Sequence, residues 1–179
     1  TGTADLAIAA ATPPRGAGAR DVIGIDFAGG MLRHGLAKVR QAGLSARIHL
    51  ARGDATRIPL ADASVDAAMV AFGIRNVLDP AVGCAEFHRV IRPGGRLAVL
   101  EFGTPTVPVL RELFGWYFRQ VLPRVGRFVS RHTEAYDYLP ASVGQFPAGE
   151  AFVKVLRQAG FSDVRAVPLT LGVVYLYVA

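Results

Sequence analysis

Polar residues stand at two places where an α/β protein puts its ligands. The apolar run 65–73 breaks abruptly into Arg75-Asn76, just ahead of Asp79-Pro80. Arginine stays protonated and offers several fixed donors, and asparagine orients a hydroxyl or a water. Such a pair at a strand end suits the holding of an oxygen-bearing ligand. The competing reading is structural: an Arg75 salt bridge followed by an Asn76 turn. Asp26 ends a second apolar run, roughly 20 residues after the opening "TGTADLA". Gly2, and the small Ala4 entering a helix, suit a loop whose backbone approaches a ligand closely, though an ordinary strand-to-helix turn would look alike. An acid at the next strand end can accept hydrogen bonds from both ribose hydroxyls, which points to an adenosine-containing ligand without saying which. Alternatively, Asp26 caps the helix that follows.

The elements needed to position these residues are legible as an alternation of apolar runs and helical patterns. Strands are expected over 21–26, 46–54, 65–73 and 96–103. A helix over 29–43 would carry Met31, Leu32, Leu36 and Val39 on one face and stop at Gly43. A second helix over 79–95 has Asp79 as its N-cap, Pro80 in its first turn and Gly94-Gly95 as its stop. This βαβαβ run predicts a parallel sheet with right-handed crossovers. After a last helix over 148–160, the strands "DVRAVPLT" and "GVVYLYVA" are joined by too short a link to be parallel. The result is a doubly wound, mostly parallel sheet closed by an antiparallel strand.

Composition narrows the class. The chain has 179 residues, 51% hydrophobic and 19% charged, enough for one domain with its own core. Its single cysteine, Cys84, excludes an internal disulfide and a cysteine-based metal site, and suits a reducing, cytoplasmic setting. His34, His49, His88 and His132 have no metal-ligand spacing, so no metal is expected. The apolar runs are too short to span a bilayer and no leader is visible. The chain starts at Thr1, in mid-pattern, so a preceding strand and helices are expected to be missing. The formal net charge is +6, and all basic residues but Lys38 and Lys154 are arginine. No Lys/Arg run accompanies this charge, so nucleic acid is not an expected partner.

Six stretches together resemble the ubiquinone/menaquinone-biosynthesis C-methyltransferases. They are "IDFAGGML", "GDATRIPLADASVDAAMVAFGIRNVLDP", "EFHRVIRPGGRLAVLEFGTP", "VLPRVG", "AYDYLPASVGQFP" and "LRQAGFSDVRAVPLTLGVVYLY". The most specific pieces are "AFGIRNVLDP", "LEFGTP" and "YDYLP". The resemblance implies a Rossmann-like class I methyltransferase fold in one domain over 1–179, with 104–147 as a lid on the substrate side. It implies S-adenosyl-L-methionine as cofactor and an isoprenoid quinol as substrate; a homodimer is considered among the partners, and the sequence does not fix the oligomeric state. By position, Thr3 and Asp5 match the motif that holds the methionine part, and Gly2 belongs to the cofactor-binding loop that opens the chain. Asp26 matches the ribose-binding acid, and Asp54 and Ala55 the adenine-side contact. Ala71 matches the strand end lining the cofactor cleft, and Arg75 and Asn76 the pair beside the reacting carbon. One departure stands out: position 4 is alanine where the family usually has glycine.

The implied reaction moves a methyl group to a quinol ring carbon. Such a carbon is a weak nucleophile until the neighbouring hydroxyl ionises, so the protein must align the ring, exclude water and stabilise phenolate charge. Arg75 and Asn76 are assigned to positioning and charge stabilisation, because neither is a base at neutral pH. The proton acceptor is water, His132, Tyr136 or Asp137. Asp62 and Asp66 are read as surface carboxylates. The stretch 107–130 is amphipathic and rich in arginine, either a cover helix packed on the sheet or a lid that receives an isoprenoid tail at an anionic membrane surface. Three other functions fit less of the sequence. They are a methyltransferase for another small acceptor, a non-catalytic quinone-biosynthesis scaffold, and an NAD-dependent oxidoreductase, for which no Tyr-x-x-x-Lys pair exists.

Overall fold

Apolar runs bounded by Gly and Asp become strands, and Asp26, Asp54, Ala71 and Arg75 stand at or just beyond strand carboxyl ends. The computed structural model describes residues 1–13, 19–103, 105, 112, 115–116 and 142–179. Most of the stretch 107–130, and the candidates His132, Tyr136 and Asp137, lie outside these residues. The described elements are α1 (Asp5–Ala11), β1 (Val22–Asp26), α2 (Gly29–Gln41), β2 (Ile48–Arg52), β3 (Val65–Ala71), α3 (Pro80–Val90), β4 (Ile91–Phe102), α4 (Glu150–Gln158), β5 (Arg165–Leu169) and β6 (Val174–Val178). No helix among the described residues is long and apolar enough to cross a membrane.

The strands form two ladders, β1-β2 and β3-β4-β6-β5. The pairs β1-β2 and β3-β4 are parallel, and β6 runs antiparallel to both β4 and β5, as the short final link requires. The other edge of β1 meets the chain start, where the Thr1 ammonium donates to the Ile25 carbonyl at 2.7 Å. One apolar cluster lies under α3 and α4 and includes Ile74, Cys84, Leu97, Val99, Phe152, Leu156 and Tyr177. A second, of Ala4, Ala7, Ala11, Val39, Leu44 and Ile48, joins α1 and α2 to β2.

Two details differ from the sequence expectation. Leu32, Gly35 and Val39 are buried on α2, whereas Met31 and Leu36 are 48% and 39% exposed. Gly35 takes the buried place because the opening loop runs across it. A Cβ there would lie 3.2 Å from the Ala4 methyl and 3.3 Å from the Thr3 carbonyl carbon. Helix α3 begins as expected, with the Asp79 carboxylate accepting from Ala81 N–H at 2.9 Å and Val82 N–H at 3.4 Å. It ends at Val90, well before Gly94. Pro93 disfavours a helical conformation at Arg92, and Ile91 already pairs with Val65 of β3.

The packing of α4 against β6 rests on one buried hydroxyl. Gly149 precedes α4 with φ +65°, and its N–H donates to the Tyr177 hydroxyl at 2.6 Å. Burial pushes the Tyr177 phenol up to about 12. Tyr177→Phe keeps the ring but strips Gly149 of its acceptor. A loss of about 1–3 kcal/mol is expected in urea unfolding; an unchanged midpoint would show that this bond does not hold α4.

Candidate active site

The predicted residues stand at or just past strand carboxyl ends, with Asp26, Asp54 and Ala55 on the β1-β2 ladder and Ala71, Arg75 and Asn76 following β3 of the other. This is where open α/β sheets bind ligands. Asp26 closes β1 opposite Arg52 in the parallel register, and Gly53 N–H donates to the Asp26 carbonyl at 3.1 Å. Asp54 and Ala55 follow directly on the neighbouring strand. Ala71 closes β3 beside Leu100 of β4. Arg75 and Asn76 lie in a 3₁₀ turn, Ile74–Asn76, that leaves the end of β3.

The opening loop is built around Asp26. Its Oδ2 accepts from the Thr1 ammonium at 3.0 Å and from Gly2 N–H at 2.7 Å, and its Oδ1 from Ala28 N–H at 2.9 Å. Partial burial pushes this carboxyl up, but the backbone N–H donors of Ala28 and Gly2 hold it below the usual carboxylate range. A carboxylate has about four lone-pair sites, so three donors leave one for a ligand hydroxyl without rearrangement. The Ala28 bond fixes the backbone just ahead of α2, whose N-cap residue is Ala28. Gly2 has φ +56°, and a Cβ added there would meet nothing within 4 Å. Bare backbone therefore faces open space beside a carboxylate, which fits the ribose side of an adenosine cofactor. Ala4 adopts φ +66° and is fully buried, so alanine takes the left-handed conformation that glycine adopts without strain.

Thr3 and Asp5 are tied to a partner the sequence did not suggest. Lys38, from α2, donates to both Asp5 oxygens at 2.7 and 2.9 Å and to the Thr3 hydroxyl at 3.1 Å. Thr3 in turn donates to Asp5 at 2.6 Å. Lys38 and Thr3 hold the Asp5 carboxyl below its ordinary range. This exposed triad locks the loop to α2. Asp54 accepts from both the N–H and the hydroxyl of Thr56 at 2.8 Å, and these donors lower its pKa.

Arg89, on α3, clamps the segment after Ala55. Its guanidinium is bidentate on Glu86, with both bonds 2.7 Å. It also donates to the carbonyls of Leu60 at 2.8 Å and Ile58 at 2.9 Å, and to Asp62 at 2.7 Å. Glu86 accepts from Ile58 N–H at 2.7 Å. The Arg89 bonds hold the Glu86 carboxyl below its usual range against slight desolvation. Glu and Arg three apart on a helix could have been read from the sequence; the segment they capture could not. Asp62 and Asp66 are exposed carboxylates paired with Arg89 and Arg92, as the surface reading expects.

The most buried charges lie at the Arg75 turn. Arg75 Nη1 donates to Glu101 Oε1 at 2.7 Å and to the Phe72 carbonyl at 2.7 Å. Glu101 is fully buried, and the Arg75 side chain is 9% exposed. Glu101 Oε1 also accepts from Phe102 N–H at 2.9 Å, and Oε2 faces Arg75 N–H at 3.4 Å. Arg75 Nε reaches the Ser142 hydroxyl at 3.4 Å, and the guanidinium carbon lies 5.4 Å from the Phe102 ring centre. Among the described residues Nη2 has no hydrogen-bond partner, yet no buried side-chain nitrogen goes unsatisfied. The sequence alternative of a salt bridge is thus a structural fact, and it leaves one donor group over. Asn76 closes the turn through its N–H on the Gly73 carbonyl at 3.1 Å. Phe72 enters it with φ +53°, a left-handed conformation that is rare for so large a residue.

The fold is that of the class I, Rossmann-like methyltransferases. Solved structures support that architecture. An S-adenosyl-L-methionine-dependent methyltransferase described as putative, from Methanococcus maripaludis, superposes with TM-score 0.64 at 21% identity, over 99% of this chain and 72% of that one. The Haemonchus contortus phosphoethanolamine N-methyltransferase 2, solved with S-adenosyl-L-methionine, does so with TM-score 0.68 at 19% identity, over 94% and 33%. The sequence is more specific: all of residues 1–179 match the ubiE/COQ5 methyltransferase family, and the chain belongs to it. It is 44% identical to the ubiquinone/menaquinone biosynthesis C-methyltransferase UbiE of Geobacter sp. (strain M21), over 99% of this chain and 74% of that protein. It is 40% identical to the demethylmenaquinone methyltransferase of Bacteroides fragilis, over 100% and 72%.

Removing one member of a buried ion pair strands the other. Arg75→Ala and Glu101→Ala should each cost about 3–5 kcal/mol in denaturant unfolding, while the apolar double replacement Arg75→Met/Glu101→Leu should recover most of that loss. Single losses below about 1 kcal/mol would show that the pair is not buried in solution.

Proposed function

We propose that the chain methylates a ring carbon of a reduced isoprenoid quinone, with demethylmenaquinol as acceptor and S-adenosyl-L-methionine as donor. Membership of the ubiE/COQ5 family and the names of the relatives support this reading. The observation that carries it is the Arg75 turn, a fixed arginine with one donor group left over at the strand end beside the adenosine-side residues. When bound, S-adenosyl-L-methionine supplies an electrophilic methyl group on a sulfonium.

The protein's part is placement and charge. Gly2 and Asp26 hold the ribose side, while Thr3 and Asp5 shape the loop toward the methionine end. Asp54 and Ala55 flank the adenine, and Ala71 keeps the cleft wall low. Arg75 directs Nη2 at the quinol oxygen, where negative charge develops as that hydroxyl loses its proton. A donor already fixed needs no reorganisation at that moment, which is how such groups lower a barrier. Asn76, on the same turn, orients the ring hydroxyl or a water beside it. The proton goes to water or to a group of the segment around His132, Tyr136 and Asp137.

The substrate's isoprenoid tail favours work at a membrane surface, and the net charge of +6 favours an anionic one. Binding to anionic vesicles that weakens with added salt is expected in co-sedimentation; no binding at low salt would remove membrane contact from the reading. For the reaction, label from S-adenosyl-L-methionine should appear on demethylmenaquinone only after its reduction. Equal labelling of quinol and quinone, or none of either, would exclude this chemistry.

A further inference from the structure

We propose that Glu101 is a positioning residue for methyl transfer, acting only through Arg75; this rests on the function proposed above. Glu101 is the one fully buried charged residue of the described core. It sits inside the apolar strand β4, where a carboxylate carries a large desolvation cost unless paired. Its bonds are arranged about Arg75. Oε1 takes Nη1, and the same oxygen is fixed by Phe102 N–H. Oε2 faces the Arg75 backbone N–H. The carboxylate thus sets both the side chain and the turn that bears it.

Two consequences follow from that geometry. Nη1 is committed to Glu101 and the Phe72 carbonyl, and Nη2 makes no hydrogen bond among the described residues, so Nη2 is the donor proposed for the ligand. The guanidinium is also neutralised from below, so Arg75 works as an aimed donor and not as a free cation. A free arginine on a flexible side chain would hold an anion in many poses. An arginine pinned at Nη1, with Phe102 against its face, holds an oxygen in one. Glu101 touches neither ligand, because none of its surface is accessible. Its loss should therefore lower turnover without weakening binding.

The test is a double-mutant cycle on the full-length enzyme with reduced demethylmenaquinone. Glu101→Gln keeps the shape and loses the charge. It should lower kcat at least 30-fold, with KM for the quinol and Kd for S-adenosyl-L-methionine within 3-fold of wild type. In an Arg75→Gln background the same change should alter kcat less than 3-fold, because the residue it aims is already gone. A purely structural role would lower stability and move Kd and KM, and would leave kcat of the folded, saturated enzyme unchanged. If Glu101→Gln does not fold, Glu101→Asp keeps the charge and withdraws it by one methylene. A kcat loss of at least 10-fold at constant KM is then expected. A folded Glu101 variant with wild-type kcat overturns the proposal and leaves the quinol reading intact. A wild-type enzyme that transfers nothing to the quinol overturns that reading and this inference with it.

Discussion

The site depends on a carboxylate where water cannot reach. Glu101 lies in β4 between apolar neighbours, and among the described residues only Arg75 supplies a compensating charge. Burying both ions costs several kcal/mol, and the pair is stable only because its geometry is good and its other hydrogen-bonding sites are used. That condition fixes much else. The turn after β3 must bring Arg75 back over β4, and Phe72 accepts a left-handed backbone to allow it. Phe72 N–H still completes the ladder to the Leu100 carbonyl at 2.8 Å, and its ring packs on Phe102 at 4.6 Å. Strain at a strand end and a buried ion pair are thus two sides of one arrangement. An apolar pair of similar size would serve stability as well. A donor directed at a reacting oxygen gives a reason for the ions to be there.

The adenosine side is organised differently, by close approach of backbones. Gly35 lets α2 pass over the loop at Thr3 and Ala4, and Lys38 one turn later ties that loop down through Thr3 and Asp5. Ala4 explains how the chain tolerates its departure from the family pattern. The loop keeps the left-handed conformation, and the added methyl finds room because position 35 has none. The Arg89 fork does the equivalent work for the segment behind Ala55. Each ligand-facing stretch is therefore a short loop held by one long basic side chain from a helix.

Much of this was legible in the sequence, and the parts that were not have a common cause. Apolar runs and turn residues located the strands, and the short link at Thr170–Gly172 implied the antiparallel β6. The Asp79-Pro80 start of α3 was read correctly. Its end was not, because glycine was taken as the stop when Pro93 acts first. The buried face of α2 was misread for a similar reason: apolar spacing favours Leu36, but the neighbour is a backbone and needs Gly35. Lys38, Arg89 and Glu101 were missed because their partners stand 26 to 35 residues away. A local signal did exist for Glu101. A lone acid in the apolar stretch "LAVLEF" is seldom buried without a partner. Arg75 was singled out from its place at a strand end, and the sequence left its two readings opposed. The structure shows the salt bridge, and the proposed donor role builds on it.

The central claim is that Arg75, held by Glu101, presents Nη2 to the quinol oxygen. The most direct measurement is a crystal structure of the full-length protein with S-adenosyl-homocysteine and a reduced, short-tailed demethylmenaquinol analogue. The account requires Nη2 at hydrogen-bond distance, about 3 Å, from the hydroxyl next to the ring carbon to be methylated, with Nη1 still on Glu101. A quinol bound beside the cofactor with its hydroxyls turned from Arg75, or an Arg75 that leaves Glu101 to reach it, would contradict it.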